Sequence, residues 1–175
     1  MPVRCSDWGR SMKTPVRKVI SGGQTGADRA GLDAAIESSL PIGGWCPRGR
    51  RAEDGPIAAR YPLQETDSAA YRVRTELNVR DSDGTLVFTV GPPSGGTALT
   101  IEKARLFAKP CLVVDLERNG DPRVVEDWLR ENEIEVLNIA GPRESNFPGI
   151  YKRAKSFLRA LFRAGGGDLS ADGSC

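Results

Sequence analysis

Two glycine-rich segments contain the residue types that bind phosphate groups in proteins. They read GGQTGAD, residues 22–28, and GPPSGGTA, residues 91–98, and each lies between an apolar run and a helical pattern. Glycine lets the backbone approach a ligand closely, and a helix N-terminus offers N–H groups and a partial positive charge. The sequence therefore predicts that both loops contact phosphate. The residues expected to do so are Gly22, Gly23, Gln24, Thr25, Gly26 and Ala27 in the first loop and Ser94, Gly95, Gly96 and Thr97 in the second.

Neither loop matches the common nucleotide-binding patterns. G-x-x-x-x-G-K-[ST] and G-x-G-x-x-G are both absent from the two segments, which argues against an ordinary nucleoside triphosphatase or dinucleotide site. A glycine-rich turn between a strand and a helix also occurs for close packing alone. One glycine-rich loop alone does not decide between close packing and ligand binding, whereas two of them favour a shared ligand.

Arginines in two other loops are candidates to assist. Arg48 in CPRGRRAEDG and Arg143 in AGPRESNFPG each follow a proline directly after a predicted strand. A guanidinium group suits bidentate recognition of phosphate, so we expect both to contribute. The remaining arginines of these loops fit a solvated surface. Trp45 is expected either to form a flat wall for a ring or to pack at the end of its strand.

The chain of 175 residues contains no histidine. This excludes Ser-His and Cys-His mechanisms and removes the commonest ligand of transition metals. The four cysteines are scattered without a C-x-x-C pair, so no protein-bound metal and no disulfide framework are expected. A net charge of +2 gives no indication of nucleic acid or an anionic membrane as a partner. Without a long apolar run or a signal-peptide pattern, the sequence predicts a cytoplasmic protein.

Alternating apolar strands and helices must position these loops. The pattern predicts a Rossmann-like α/β fold with three α/β/α layers and a parallel sheet of about five strands. One domain is expected over residues 17–164, with a disordered extension over 1–16 and a disordered tail over 165–175. The predicted strands are 18–21, 42–46, 84–90, 110–116 and 135–140, and the predicted helices are 27–38, 67 or 68 to 81, 97–108, 122–132 and 148–162.

The two glycine-rich loops would meet if the first and third predicted strands were neighbours at the switch point of the sheet. One helix also carries a polar face, formed by Tyr71, Arg74, Thr75 and Asn78. That face is expected to meet solvent, another subunit or the crevice between the loops. Asp67 or Ser68 is expected to cap this helix, and the last helix is a second candidate for a subunit interface.

Several long motifs together resemble the family of molybdenum cofactor carriers. They are GGQTGADRAGLDAA, GWCPRGRRAEDGPI with YPLQET, RTELNVRDSDGTLVF, GPPSGGTALT and NIAGPRESNFPGIY, and they span about residues 17–162. The resemblance implies a Rossmann-like homo-oligomer, a tetramer or a dimer. It also implies that the protein binds, protects or transfers the molybdenum cofactor, a phosphorylated pyranopterin, to a molybdoenzyme acceptor. The family is similar to the wider SLOG group, which includes the lysine decarboxylase-like nucleotide phosphoribohydrolases.

The phosphoribohydrolases resemble P-G-G-x-G-T-x-x-E, in which the glutamate is catalytic. When Gly96 and Thr97 are matched to their Gly-Thr, Thr100 takes the place of that glutamate, and Glu102 lies about 200° further around the helix. This favours binding without hydrolysis. Two alternatives stay open: a nucleotide-sensing module, and a nucleotide-processing enzyme that acts on an N-glycosidic bond with a carboxylate from Glu53, Asp54, Glu76, Asp81 or Asp83.

Overall fold

The computed structural model describes residues 14–118 and 120–163. The predicted disordered tail over 165–175 and most of the predicted extension over 1–16 lie outside the described residues. Within that extension, Val16 is described and is only 5% exposed, as part of the main hydrophobic core.

Five parallel strands form the central sheet, as predicted. They are β1 (Lys18–Ile20), β2 (Ile42–Gly43), β7 (Gly84–Thr89), β8 (Cys111–Asp115) and β9 (Val136–Ala140), in the order β2-β1-β9-β7-β8. Two small sheets lie outside it: β3 (Trp45–Cys46) pairs in parallel with β6 (Gln64–Glu65), and β4 (Arg51–Ala52) pairs antiparallel with β5 (Gly55–Pro56). Every residue of β7 is buried, as expected for a central strand covered on both faces.

The strand order corrects the prediction that the first and third predicted strands are neighbours. β9 lies between β1 and β7 and pairs with both. If β9 were the first strand of the chain, the order would read 3-2-1-4-5, the usual doubly wound arrangement, with its switch point between β9 and β7. The apolar pattern of the sequence could not predict the position of β9, because a buried parallel strand has no sequence feature that indicates which strands lie beside it.

The second predicted strand, 42–46, is in fact two strands that belong to different sheets. Gly44 separates them with a φ of 122°, a backbone conformation that favours glycine. A Cβ atom there would also lie 2.8 Å from the Ser21 nitrogen. The chain therefore turns out of the main sheet at Gly44 and begins the segment that contains β3 to β6.

The five helices are α1 (Ala27–Glu37), α2 (Tyr71–Arg80), α3 (Gly95–Leu106), α4 (Pro122–Glu131) and α5 (Ile150–Arg163). α5 packs against α1 and α4, and Leu86 and Phe88 of β7 join their side chains in the main core. Alternate residues of a strand face opposite sides, and on the other side α3 contacts β7 while α2 contacts α3. The predicted three-layer arrangement follows from these contacts.

One prediction about the helices differs from the structure. Ala70, not Asp67 or Ser68, precedes the first turn of α2, and no side chain caps it. The Ser68 hydroxyl instead accepts a hydrogen bond from the Ala70 N–H before the helix begins. The apolar residues of α5, among them Phe157 and Leu158, lie in the main core, so only the exposed face of α5 stays a candidate for a subunit interface.

Arg50 holds together the segment over residues 47–65, which contains the short strands β4 to β6. Its guanidinium group donates hydrogen bonds of 2.8–3.2 Å to four backbone carbonyls, those of Ile57, Ala58, Tyr61 and Leu63. A second small core of Leu32, Cys46, Ile57, Tyr61 and Leu63 lies beneath the segment. Arg50 is therefore a structural residue, although the sequence favoured a solvated one.

Among the described residues, no helix combines the length and the apolar character needed to cross a membrane.

Replacement of Arg50 by methionine tests this role. Arg50→Met keeps the aliphatic stem but removes the donors to four carbonyls, so we expect it to lower the free energy of unfolding by about 2–4 kcal/mol. This corresponds to a fall in melting temperature of about 5–15 °C. Arg51→Met is the matched control, since Arg51 is exposed, and should stay within about 0.5 kcal/mol of the wild type. Equal effects of both substitutions in urea unfolding would contradict the assignment.

Candidate functional site

A narrow cleft of about 80 Å³ opens at the switch point between β9 and β7. We call it the switch-point cleft. Four segments form it: the first glycine-rich loop, one face of α2, the start of α3 and the loop after β9. Its lining residues are Gln24, Asp28, Tyr71, Arg74, Thr75, Ser94, Gly96, Thr97, Leu99, Thr100, Ala140, Gly141, Pro142, Arg143 and Asn146. Both predicted loops therefore reach one cleft, although the loop after β9 lies between them.

Gln24 presents a hydrogen-bond donor to this cleft. Its Oε1 accepts hydrogen bonds from the backbone N–H groups of Thr25, at 3.0 Å, and Glu53, at 2.9 Å, and these fix the orientation of the amide. The residue is only 5% exposed, and its Nε2 has no hydrogen-bond partner among residues 14–118 and 120–163. A buried donor without a partner is costly, so this atom is suited to a ligand acceptor.

Arg74 forms an ion pair with Asp28 at the base of the cleft. Arg74 Nη1 lies 3.2 Å from Asp28 Oδ2, and the two side chains are 14% and 4% exposed. Burial raises the pKa of Asp28, and the positive charge of Arg74 only partly opposes that effect. Arg74 Nε has no hydrogen-bond partner within the described part of the chain. The guanidinium lies against Gly22, where any Cβ atom would collide with it, and this explains the glycine at that position.

A second guanidinium group lies nearby. The Cζ of Arg143 is 5.2 Å from the centre of the Tyr71 ring, and that of Arg74 is 6.0 Å from the same centre. Cation–π contacts of this kind hold both cations beside the ring. The cleft consequently has positive charge on two of its sides, from α2 and from the loop after β9.

The start of α3 is open toward the cleft. Ser94 precedes the helix and makes no capping hydrogen bond through its side chain. Gly95 has a φ of 53°, and a Cβ atom at Gly95 or Gly96 would meet nothing within 4 Å. Unfilled space at a helix N-terminus, with its partial positive charge, suits an anion.

Thr100, which matches the position of the catalytic glutamate of the phosphoribohydrolases, lines the cleft. It is 4% exposed, and its hydroxyl donates to the Gly96 carbonyl at 2.9 Å. Glu102 is exposed and is not among the residues that line the cleft, in agreement with the predicted rotation. Asp28 is the only carboxylate among those lining residues.

The first loop divides between the cleft and internal packing. Only Gln24 of its six predicted residues lines the switch-point cleft. Gly23 packs against Leu63 and Ile57, and Gly26 packs against the backbone of residues 142–144. The N–H groups of Gln24, Thr25 and Ala27 already donate to Asp28, Gln24 and Pro142 respectively.

Arg48 and Trp45 do not line the cleft. The Arg48 side chain is exposed. Trp45 donates its indole N–H to Asp81 at 2.8 Å, and its backbone exchanges two hydrogen bonds with the buried Asn78 amide. Of the polar face of α2, Tyr71, Arg74 and Thr75 therefore form a wall of the cleft, while Asn78 holds β3 in place. From the sequence, a wall of the crevice was one of three possible roles for this face of α2. The sequence analysis did not identify Asp28 or Asn146 as residues of the site.

A larger cavity of about 860 Å³ lies between α1, the β4–β5 hairpin and the start of α5. Its charged groups are mostly engaged with one another. Arg29 pairs with Asp54, and Asp33 accepts hydrogen bonds from the hydroxyls of Tyr61, at 2.8 Å, and Tyr151, at 2.6 Å. Burial and the bond to Asp33 raise the pKa of Tyr61 to about 12. The smaller cleft, in which Gln24 Nε2 and Arg74 Nε are without partners in the described part of the chain, is therefore the better candidate site.

Glu53, on the β4–β5 hairpin, is held by two loops at the edge of this cavity. Its carboxylate accepts hydrogen bonds from the Thr25 hydroxyl and from both the N–H and the hydroxyl of Ser145. Burial alone would raise the pKa of Glu53, but the bonds from Ser145 and Thr25 outweigh it and lower that pKa. An internal carboxylate thus occupies the place beside Thr25 where phosphate was expected.

The other carboxylates considered for catalysis are also engaged. Glu76 pairs with Lys103 at 2.8 Å, and Asp81 binds Arg80 and Trp45. Asp83 accepts from the Val136 N–H at 2.7 Å. Over the described residues, no three His, Cys, Asp or Glu side chains are grouped to hold a metal ion.

Comparisons with known proteins agree with this topology. The family described as "Circularly permutated YpsA SLOG family" matches residues 19–162. A solved crystal structure from Syntrophus aciditrophicus SB, described as "Putative molybdenum carrier protein", is 48% identical, with a TM-score of 0.83, over 86% of this chain and 96% of its own. No curated protein matches the chain. In the strand order described above, the last main-sheet strand along the chain, β9, takes the first position of the usual order. This agrees with the words "circularly permutated" in the description of the family.

The lowered pKa of Glu53 predicts a pH-dependent contribution to stability. An acid with a lowered pKa stabilises the fold above its unfolded pKa, near 4.5, and loses that effect as the pH falls through the folded value. Glu53→Gln should therefore lower the melting temperature at pH 7 by up to about 4 °C, and the difference should shrink below pH 4.5. Glu102→Gln, at an exposed site, should have no effect at either pH. A constant difference for Glu53→Gln at all pH values would contradict the prediction.

Proposed function

Since this chain belongs to the circularly permutated YpsA SLOG family, we propose that it carries the molybdenum cofactor. It binds the phosphorylated pyranopterin at the switch-point cleft and protects or transfers it without catalysis. The 48% identical protein described as a molybdenum carrier supports this ligand. The cofactor holds its molybdenum through its own dithiolene, so the carrier needs no metal ligands of its own.

The observation that carries the proposal is the unpartnered Gln24 Nε2, which is buried in a cleft that also contains Arg74 and Arg143. All three side chains donate hydrogen bonds, and two are positively charged. A phosphate group supplies acceptor oxygens and negative charge, which match such donors better than any neutral group does. Ser94, Gly95, Gly96 and Thr97 complete the site with the N-terminus of α3. Arg48 and the other residues of the first loop stay sequence predictions.

The surroundings of the one carboxylate that lines the cleft support binding without catalysis. Asp28 is held by Arg74 and by the Gln24 N–H, and Thr100 stands in place of the phosphoribohydrolase acid. The same Asp28 favours the alternative, since a buried carboxyl group with a raised pKa can serve as a general acid. Hydrolysis of an N-glycosidic bond would then depend on Asp28.

We also propose that the carrier is a homo-oligomer that delivers its cargo to a molybdoenzyme. β8 is an edge strand, and Val113 on it is 42% exposed, while Leu106 at the end of α3 is 67% exposed. An unpaired edge with exposed apolar residues favours association with a second copy.

Gly96 offers a test of the phosphate site. Gly96→Asp adds a carboxylate where a Cβ atom meets only open space, so the fold should persist while the new charge repels phosphate. We expect affinity for the molybdenum cofactor to fall at least about 30-fold, or about 2 kcal/mol. Gly96→Ala is the matched control and should retain most of the affinity. Isothermal titration calorimetry under anaerobic conditions measures both.

Two results, one from these titrations and one from a separate incubation with adenosine 5′-monophosphate, would contradict the proposal. Equal affinities of the aspartate and alanine variants would place the phosphate elsewhere. Release of free adenine from adenosine 5′-monophosphate, abolished by Asp28→Asn, would identify a hydrolase instead of a carrier.

The oligomer proposal is tested by a charge on the edge strand. Val113→Lys should reduce the mass measured by light scattering, because a lysine on an edge strand opposes pairing. Val124→Lys is the control, at a residue of α4 that is 58% exposed, and should leave the mass unchanged. A wild-type protein with the mass of one chain would exclude the homo-oligomer.

A further inference from the structure

The switch-point cleft is too small for a whole phosphorylated ligand. Its volume of about 80 Å³ is well below the roughly 300–1,000 Å³ of a typical small-molecule pocket. That space suits a single phosphate group. The organic part of any ligand bound there must therefore extend into a neighbouring space.

A second cavity, of about 230 Å³, adjoins the cleft and provides this space. Ser94, Thr97, Pro142 and Asn146 line both, so the two spaces adjoin at these residues. Gln24, a residue that is only 5% exposed, lines the first of them, and its Nε2 has no hydrogen-bond partner among the described residues. A ligand anchored by phosphate in the cleft would place its next atoms in the second cavity.

The second cavity has flat apolar walls with polar groups between them. Pro92, Pro93 and Phe147 line it together with Val90. Phe147 is 39% exposed and has no aromatic or cationic partner within the described residues, whereas the Tyr71 ring is already covered by Arg143. The side-chain amide of Asn146 makes no hydrogen bond in the described part of the chain, so it is free to bind the edge of a heterocycle.

We propose that this second cavity is a subsite for the ring of a heteroaromatic phosphomonoester, which stacks on Phe147 while its phosphate occupies the switch-point cleft. The inference rests on the proposed function, because that function places the phosphate in the switch-point cleft. Pterin and purine rings share this chemistry. Phe147 is then a binding residue, and it selects ring-bearing ligands over other phosphate esters.

Three probes separate the ring from the phosphate: 6-hydroxymethylpterin monophosphate, adenosine 5′-monophosphate and ribose 5-phosphate. Their affinities for the full chain are measured by calorimetry. We expect at least one ring-bearing probe to bind about tenfold more tightly than ribose 5-phosphate, as is typical of stacking on an aromatic side chain. Phe147→Ala should remove that advantage and leave the affinity for ribose 5-phosphate unchanged, and Phe147→Trp should restore it. Val124→Ala, which removes exposed apolar surface on α4, is the control.

The outcomes distinguish the two proposals. A preference for the pterin or for the purine supports the subsite in either case and identifies which ring it accepts. If both rings bind no better than ribose 5-phosphate, or if Phe147→Ala weakens all three equally, the ring subsite is overturned. If Arg143→Ala, in a variant with unchanged melting temperature, leaves every affinity intact, the phosphate site itself fails and the proposed function with it.

Discussion

The buried ion pair of Arg74 and Asp28 is the interaction on which the candidate site depends. It joins α2 to α1 at the carboxyl ends of the strands. The two helices are separated along the chain by the segment that contains β2 to β6. A buried pair of this kind adds little net stability, but removal of one partner leaves an uncompensated charge. The pair also explains Gly22, since the guanidinium lies where any side chain at that position would be. It thereby fixes the direction from which Arg74 faces the cleft.

Gln24 connects the site to the larger cavity. Its carbonyl oxygen is used by the backbone of Thr25 and Glu53, and only its amino group is left for a ligand. On the other side of the loop, Glu53 and Asp54 take up the donors of Thr25, Ser145 and Arg29. The two cavities differ for this reason: the charged groups of the larger one are mostly engaged with the protein's own carboxylates, whereas the cleft has two arginines, Arg74 and Arg143, and one carboxylate, Asp28. The smaller volume is consequently the better anion site.

The permuted strand order explains why three loops form the site. In the usual doubly wound order, the ligand lies between the first and fourth strands, and here those positions belong to β9 and β7, the last and third of the main-sheet strands along the chain. Arg143 comes from the loop after β9, and Gly95 and Gly96 come from the start of α3, after β7. The first glycine-rich loop is one strand away and reaches the cleft through Gln24 and Asp28. Its glycines serve the close packing of residues 22–26 against Arg74, Leu63 and the backbone of residues 142–144.

The sequence alone determined the fold class, the positions of most helices and strands to within a few residues, and the family. Apolar runs, helical spacing and a proline at the first position of a helix are local features, and α4 begins at Pro122 as predicted. The sequence also predicted roles for Arg143 and for the GPPSGGTA loop, and residues of both line the switch-point cleft. Tertiary structure alone decided which strands are neighbours, that Arg50 binds four carbonyls, and that the polar face of α2 forms a wall of the cleft. These depend on contacts between residues far apart in the chain, and no local pattern states which distant group a buried side chain will meet.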